Sequence, residues 1–325
     1  MAERGLLDLI INRIPGLGVP ERLKLCREFD REEELSILSK GDLEKLLNRT
    51  LERPLRMEAL RLQAEQDERN ARLRGIRWVS WVTEGYPPQL REIYDPPAVL
   101  FFRGNLPDPE KPLVAVVGTR QPSPGGAAQA HALSRELGAA GLSVVSGLAL
   151  GIDAMAHRGN LDGGAPTFAV LGSGADEIYP LGNRALAARI LENGGAVLSE
   201  YSPGTGPRPW RFPARNRIIS GLARGTVVVE APARSGALIT ARCALEQGRD
   251  LWAASAGTVS SRGAGTAKLA EEGAKVIHGA AEILAEWNWT VPARQTGVAA
   301  NDGGEPVSPG MGLAADLARS LNIEL

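Results

Sequence analysis

The chain contains 325 residues, enough for a large hydrophobic core and a second, smaller domain. Its net charge is only -1 at pH 7, so the overall composition does not indicate nucleic-acid binding, and any positive field for DNA must be local. The cysteines, Cys26 and Cys243, fall in helical patterns and are expected to be reduced, buried thiols. The N-terminus lacks a cleavable signal pattern, and no apolar run reaches the roughly 18 residues that span a membrane. We therefore expect a cytoplasmic protein without a membrane segment.

Residues 1–75 have the pattern of helices rich in Leu, Glu and Arg, without a strand pattern between them. A Pro-Gly-Leu-Gly turn within residues 14–20 separates two of these helical patterns. It fits either a helix-hairpin-helix, whose amides face a phosphate, or a tight turn in which glycine supplies a positive φ. We predict a small all-helical N-terminal domain over residues 1–75. Short strands follow near residues 79–82 and 99–102.

From residue 113 onward, short apolar runs alternate with longer helix-like segments. Strands that are apolar throughout are typical of a parallel sheet with helices on both faces. The sequence therefore predicts an α/β fold, a doubly wound and mostly parallel Rossmann-like sheet over residues 76–290. The expected strands are 113–117, 143–146, 167–171, 196–199, 226–230, 250–254 and 275–277. Residues 291–325 are predicted to be a flexible tail with one short helix near 313–321.

The loop after the first of these strands contains Gly118, Thr119 and Arg120 and leads into a helix. Glycine permits close backbone approach, a helix start offers unpaired amides, and Arg120 adds positive charge, so this loop is a candidate phosphate site. The glycine spacing differs from Gly-x-Gly-x-x-Gly, and no acidic residue ends the second strand. The loop is therefore not the dinucleotide-binding fingerprint.

The second strand leads through Gly147 into a helix on which Asp153 and His157 share a face at positions i and i+4. The two side chains fit either an acid/base pair or a structural pair that fixes the loop. The structural interpretation is favoured, because no nucleophile or third ligand has the spacing of a triad or a metal site.

Two further strand ends carry small residues. Gly172 follows the third strand, where it fits either close ligand approach or an ordinary turn. Ser235 and Gly236 follow the fifth strand, where Ser235 is expected to cap a helix and the amides there fit a second phosphate site. Helix capping without a ligand explains Ser235 equally well. Four such strand ends together predict one shared anion-binding pocket more strongly than any one loop does.

The segment from residue 208 to 224 contains five arginines, two aromatic residues and no acidic residue. Arginine binds phosphate oxygens bidentately and aromatic faces stack on bases, so this composition suits single-stranded nucleic acid. The alternative is a solvated arginine-rich loop in which Trp210 and Phe212 close the domain edge. We expect a loop up to about residue 209 and a helix over residues 217–223.

Several of these segments, in this order, resemble the DprA/Smf family of DNA-processing proteins. The matching blocks are Gly118-Thr119-Arg120, Ser146-Gly147-Leu148-Ala149-x-Gly151-Ile152-Asp153-x-x-Ala156-His157-Arg158, Tyr179-Pro180, Leu198-Ser199-Glu200, Phe212-Pro213-x-Arg215-Asn216-Arg217-Ile218-Ile219 and Ser235-Gly236-x-Leu238-Ile239-Thr240. The resemblance covers about residues 80 to 285. The N-terminal turn is also similar to the sterile-alpha-motif-like domain that many members carry.

The resemblance implies a cytoplasmic, homodimeric protein that binds single-stranded DNA, protects incoming strands in natural transformation and loads the recombinase RecA. It implies that Arg120 binds a phosphate and that Phe212 stacks on a base. Positive charge would come from Arg211, Arg215 and Arg217, with Arg208 or Arg211 as the basic residue ahead of the Phe-Pro pair. The expected DNA-binding set is completed by Gly118, Thr119, Gly147, Gly172, Asn216, Ser235 and Gly236. No catalytic residue, metal or cofactor is expected.

The chain departs from the family pattern after the sixth predicted strand. Ala256-Gly257 replaces the usual Pro-Gly, and Gly263-Ala264-Gly265-Thr266-Ala267 replaces a Ser-x-Gly-x-Asn pattern. These changes concern the local loop and the dimer edge rather than the DNA pocket. Many members also carry a C-terminal winged helix, which is expected to be missing here or reduced to the short helix near 313–321.

An alternative function is that of a nucleotide-binding or nucleotide-hydrolysing enzyme of the lysine-decarboxylase-like Rossmann families. Those enzymes carry Pro-Gly-Gly-x-Gly-Thr-x-x-Glu at a helix start. Here the helix starts Ser-Gly-Ala-Leu-Ile-Thr-Ala-Arg, and Glu246 lies too far along it to replace the catalytic glutamate. The sequence therefore disfavours hydrolysis and leaves nucleotide binding open.

Overall fold

The computed structural model describes residues 4–51 and 55–291, so the predicted helix near 313–321 lies outside the described residues. The N-terminal part is helical, as predicted. Its described helices are α1 (Leu7–Arg13), α2 (Val19–Glu28), α3 (Glu32–Ser36), α4 (Lys40–Leu47) and α5 (Met57–Leu73). Within the described ranges, no helix combines the length and apolarity needed to cross a bilayer.

The turn between α1 and α2 is held by contacts inside the protein. Gly16 has a φ of +75°, a conformation that glycine adopts without strain. The amide of Gly18 donates to Glu21 Oε2 at 2.5 Å, and Arg49 donates to the Gly16 carbonyl at 3.1 Å. These bonds favour the tight turn over a phosphate-binding hairpin.

Within the described residues, nine strands form one sheet in the order β1-β2-β6-β5-β4-β3-β7-β8-β9. The pairs β1–β2 and β2–β6 are antiparallel, and every other pair is parallel. This confirms the predicted doubly wound, mostly parallel Rossmann-like fold. The strands are β1 (Arg77–Ser80), β2 (Val99–Gly104), β3 (Leu113–Val117), β4 (Ser143–Ser146), β5 (Thr167–Val170), β6 (Ala196–Ser199), β7 (Gly225–Val228), β8 (Asp250–Ala254) and β9 (Lys275–Ile277).

The first strand begins two residues earlier than the sequence predicts, because Arg77 pairs with Phe102 and its guanidinium donates to the Gly104 carbonyl.

Helices fill most of the connections between the strands. The connecting helices are α6 (Pro88–Arg91), α7 (Pro124–Ala139), α8 (Ile152–Asp162), α9 (Arg184–Glu192), α10 (Arg211–Leu222), α11 (Gly236–Glu246), α12 (Ser255–Val259) and α13 (Ala264–Glu271), and α14 (Ala281–Glu286) follows β9.

Both faces of the central strands are buried. Along β3, Ala115 and Val117 belong to a cluster with α10 and α11, whereas Val114 and Val116 belong to a second cluster with α7 and α8. This alternation follows from the two-residue period of a strand. Apolar side chains of the N-terminal helices join the first cluster, so their core is continuous with one face of the sheet.

The strand order reverses next to β3. Strands β4, β5 and β6 extend to one side of β3, and β7, β8 and β9 extend to the other. The connections leaving β3 and β7 therefore diverge and open a crevice at the carboxyl ends of these two strands, the usual ligand position in doubly wound sheets.

Gly118, directly after β3, is packed where a larger residue has no room. A Cβ there would lie 2.6 Å from Ile152 Cγ1 and 2.9 Å from the Glu230 carbonyl oxygen. We expect Gly118→Ala to lower the free energy of unfolding by about 1 to 3 kcal/mol, because the strand end or α8 must shift. Urea denaturation followed by circular dichroism measures this.

The matched control is Gly125→Ala, in the first turn of α7, where a Cβ meets nothing within 4 Å. It should leave the stability unchanged or slightly raised. If both substitutions change the free energy of unfolding equally, crowding around Gly118 does not explain the effect of Gly118→Ala.

Candidate nucleic-acid interface

A cleft of about 630 Å³ opens at the carboxyl ends of β3 and β7. We call it the Arg120 cleft. Its lining residues come from the end of β3, from the loops after β3, β4, β5 and β7, and from α8, α10 and α11, with Pro209 from the segment just before α10. They are Val117, Gly118, Thr119, Arg120, Gln121, Ala149, Asp153, Tyr179, Pro209, Phe212, Pro213, Arg215, Asn216, Ile219, Pro232, Arg234, Ser235, Gly236, Ala237 and Thr240. The reversal of the strand order next to β3 thus brings together most of the residues that the sequence predicts for the site.

The loop after β3 is fixed by Glu230, a fully buried residue beyond the end of β7. The Thr119 amide donates to the Glu230 carbonyl at 2.7 Å, and the Ser123 amide donates to its carboxylate at 2.6 Å. The Gln121 amide donates to Thr119 Oγ1. Because these amides already have acceptors, the exposed Arg120 side chain, rather than these amides, is what the loop offers an anion.

Aromatic faces lie beside Arg120. The ring centroids of Phe212 and Tyr179 are 5.5 Å apart at an interplanar angle of 43°, and the Arg120 guanidinium lies 5.7 Å from the Phe212 ring centre. Tyr179 is 42% exposed and Phe212 is half-buried. A flat aromatic ligand therefore has faces to stack on next to a positive charge.

The helix that carries Phe212 starts earlier than predicted. We expected a helix over residues 217–223, but α10 begins at Arg211 and ends at Leu222. Pro213 falls in the first turn, where a missing backbone N–H breaks no helical hydrogen bond, so the proline does not end the helix. Gly172 makes room for this turn, since a Cβ on it would lie 3.0 Å from Phe212 Cδ1.

Arg215 lines the cleft as a buried residue. Its guanidinium donates to the Val170 carbonyl and lies against Gly147, where a Cβ would come within 2.4 Å of Nη1. Burial lowers the pKa of Arg215 to about 10, with the Asp153 charge acting in the opposite direction. Arg215 is therefore charged at neutral pH and contributes to the cleft mainly as a fixed positive charge.

Asp153 and His157 act separately rather than as a pair. Asp153 accepts from the amides of Gly147 and Ala149 at 3.2 and 3.3 Å, which fixes the loop after β4, and burial raises its pKa. His157 Nδ1 lies 2.8 Å from Thr167 Oγ1. Asp153 thus has the expected structural role of fixing the loop, whereas the expected pairing with His157 is replaced by a contact between His157 and Thr167.

The helix start after β7 is capped as predicted. Ser235 Oγ accepts from the Ala237 amide at 3.2 Å, and Asn216 Nδ2 donates to the Gly236 carbonyl at 3.0 Å. A Cβ on Gly236 would meet nothing within 4 Å, so the cleft is open at this point.

Arg217, which was expected to supply positive charge to the DNA site, does not line the Arg120 cleft. Arg217 forms ion pairs with Glu200 at 2.7 Å and Asp95 at 2.9 Å, and it lines a different cleft. Burial acts to lower its pKa, but the Glu200 carboxylate outweighs this effect and raises it. The two acidic partners lie outside the arginine-rich segment, 17 and 122 residues away in sequence, so the composition of that segment does not reveal the neutralisation of Arg217.

The other two arginines of this segment that were predicted to bind DNA also lie outside the Arg120 cleft. Arg211 is placed over the rings of Tyr201 and Trp210, at 4.7 and 5.0 Å from their centres. Arg208 is exposed and is not among the residues that line the Arg120 cleft.

Tyr179 and Arg234 line the cleft although they were not among the predicted site residues. Each had a signal in the sequence. Tyr179 closes the glycine-rich loop after β5, and Arg234 lies between the end of β7 and the capping Ser235. Within the described residues, no group of three or more His, Cys, Asp or Glu side chains is arranged to hold a metal ion.

A model of the family "DNA recombination-mediator protein A" matches residues 77–288. The chain belongs to this family. The DNA processing protein DprA of Streptococcus pneumoniae is 46% identical over 204 residues, covering 63% of this chain and 72% of that protein. Protein Smf of Borreliella burgdorferi is 32% identical over 280 residues, covering 86% of this chain and 88% of that protein. The resemblance to DprA/Smf proteins is thereby confirmed.

Solved structures of DprA proteins agree with this assignment. The X-ray structure of Streptococcus pneumoniae DprA superposes with a TM-score of 0.70 at 35% identity and covers 88% of this chain and 98% of that one. A structure concerning the single-stranded DNA binding mode of Helicobacter pylori DNA processing protein A has a TM-score of 0.58 at 29% identity, covering 65% of this chain and 96% of that one.

The buried His157 of α8 predicts that the stability of the protein decreases at acidic pH. Burial lowers the pKa of its imidazole from 6.5 to about 3. Between these pH values the unfolded chain binds a proton that the folded protein excludes, so stability falls as the pH falls. We expect the free energy of unfolding to drop by about 2 kcal/mol from this residue between pH 7 and pH 5.

Urea denaturation at several pH values tests this in the wild type and in His157→Gln, whose stability should depend less on pH in this window. His278→Gln, on an exposed histidine, is the control and should keep the wild-type pH dependence. If the stability of His157→Gln depends on pH as strongly as that of the wild type, His157 is not the cause of the pH dependence.

Proposed function

We propose that the protein binds single-stranded DNA in the Arg120 cleft, without catalysing a reaction on it. The observation that carries this proposal is the exposed Arg120 guanidinium beside the Phe212 and Tyr179 rings. Aromatic faces stack on any base, whereas the charge holds the backbone, which is the combination that binds single strands with little sequence preference. The single-stranded DNA binding mode of the Helicobacter pylori relative supports the same ligand.

The roles within the cleft follow from position. We propose that Arg120 and Arg234 contact phosphates at the rim, because both are exposed and line the cleft. The buried Arg215 adds a fixed positive charge behind them. Phe212 is proposed to stack on a base, with Tyr179 beside it. Gly118, Gly147 and Gly172 contribute by close packing of the backbone rather than by direct charge.

A hydrolytic function has little support in this cleft. Asp153 is the one carboxylate among the lining residues, and it is nearly fully buried and accepts two backbone amides. A glycosidic or phosphate ester hydrolysis needs a carboxylate or another base that reaches the substrate. We therefore propose a binding protein rather than an enzyme.

Beyond the cleft, we propose that the protein acts in the cytoplasm as a homodimer, protects incoming single strands and delivers them to RecA. Support for this part comes from membership of a family of recombination mediators. Strand exchange by RecA on DNA coated with a single-strand-binding protein, with and without this protein, tests delivery. A stimulation that Arg120→Ala abolishes is the expected result.

Arg120→Ala should weaken binding to every single-stranded sequence to a similar extent. Loss of one phosphate contact should reduce the slope of log K against log salt by about 0.7 to 1. Fluorescence anisotropy of a labelled oligonucleotide across a salt series measures both effects. Arg158→Ala, which removes an exposed arginine from α8, is the control. An identical slope in both variants would exclude a phosphate contact at Arg120.

Phe212→Ala should weaken binding by roughly 1 to 3 kcal/mol, the usual contribution of one stacked base. The salt slope should stay as in the wild type, because no charge is removed. Phe212→Trp keeps an aromatic face and should retain most of the affinity. If Phe212→Ala binds like the wild type while remaining folded, Phe212 packs within the protein and does not stack on DNA.

A further inference from the structure

A second cleft, of about 490 Å³, lies where the N-terminal helices meet the sheet. We call it the Trp210 cleft. Its charged and aromatic lining residues are Arg13 and Arg22 from the N-terminal helices, Asp95 from the loop before β2, and Glu200, Tyr201, Trp210, Arg211 and Arg217 from β6 to α10.

The start of α10 separates the two clefts. Pro209, Phe212, Pro213, Asn216 and Ile219 line the Arg120 cleft, and Trp210, Arg211, Ala214 and Arg217 line the Trp210 cleft. Residues at spacings of three, four and seven share a helix face, so these two sets lie on opposite faces of the helix. A strand that crosses the first turn of α10 can therefore contact both clefts.

The Trp210 cleft has positive charge that the protein does not neutralise. Its two carboxylates, Asp95 and Glu200, are both engaged by Arg217. Arg22 and Arg211 form no ion pair with any residue in the ranges 4–51 and 55–291. Burial lowers the pKa of Arg22 more than the nearby charges of Glu200 and Glu21 raise it, so a further anion beside it would relieve a cost that the folded protein now bears.

An exposed aromatic face accompanies this charge. Trp210 is 63% exposed, and its ring meets the Tyr201 ring edge-on at a centroid distance of 6.4 Å. Arg211 lies over both rings. A large indole left in solvent next to Arg211, which forms no ion pair with the described residues, matches the pairing of one base with one phosphate.

We propose that the Trp210 cleft is a second nucleotide-binding subsite. One base stacks on Trp210 and its phosphate is held by Arg211 and Arg22, so that residues of the N-terminal helices take part in binding. The natural ligand is the continuation of a single strand that occupies the Arg120 cleft; this assignment rests on the proposed function. A free nucleotide has the same chemistry and is the other source of such a ligand.

A length series of oligothymidylates distinguishes the two subsites. Trp210→Ala and Arg211→Ala should bind the shortest oligonucleotides like the wild type and lose about 5- to 150-fold in affinity for longer ones. Trp210→Phe should restore most of the loss, since it keeps an aromatic face. Arg22→Ala should show the same length dependence, and Arg158→Ala should not.

Titration of the wild type and Trp210→Ala with deoxythymidine monophosphate tests whether the Trp210 cleft binds a free nucleotide. Nucleotide binding that Trp210→Ala abolishes, without a length effect, would assign the subsite to a free nucleotide. Wild-type behaviour of Trp210→Ala in both assays overturns the proposal, as does an equal loss at every oligonucleotide length. Failure of the Trp210 subsite alone would leave the losses in Arg120→Ala and Phe212→Ala intact. If these two variants also bind DNA like the wild type, the proposed function of the Arg120 cleft fails as well.

Discussion

A parallel sheet must be covered on both faces, and the rest of this structure follows from that requirement. Helices cross to opposite sides of the sheet, so the strand order reverses next to β3 and the chain diverges at the ends of β3 and β7. The buried carboxylate of Glu230 then fixes one wall of the resulting crevice by accepting from the Ser123 amide. The Arg120 side chain is left at the rim because the backbone beneath it is already bonded.

The first turn of α10 is the second feature on which the interface depends. It presents Phe212 to one cleft and Trp210 with Arg211 to another. Gly172 permits the turn to approach the end of β5, and Arg215, packed on Gly147, anchors the helix to the β5 carbonyl of Val170. A short arginine-rich segment thus serves two surfaces, because a helix distributes neighbouring residues to opposite faces.

The arginines of the segment 208–224 that lie near the clefts have different surroundings in the structure. Arg215 is buried as a fixed charge, Arg217 is neutralised by Glu200 and Asp95, and Arg211 covers aromatic rings. Composition alone treats these side chains as equivalent. Their difference arises from partners that the fold supplies, and the exposed Arg120 and Arg234, from other loops, are the positive groups at the rim of the Arg120 cleft.

The sequence by itself determined the fold class, most strand positions and the loops that meet at the cleft, because apolar runs, glycines and capping residues act locally. It placed the start of α10 too late, since a proline in a first turn looks the same in sequence as a proline that ends a loop. Only the tertiary structure decided which arginines form no ion pair, that the Tyr179 ring lies beside Phe212, and that Trp210 lines a cleft together with residues of the N-terminal helices. Those outcomes depend on contacts between residues far apart in the chain, which no local pattern encodes.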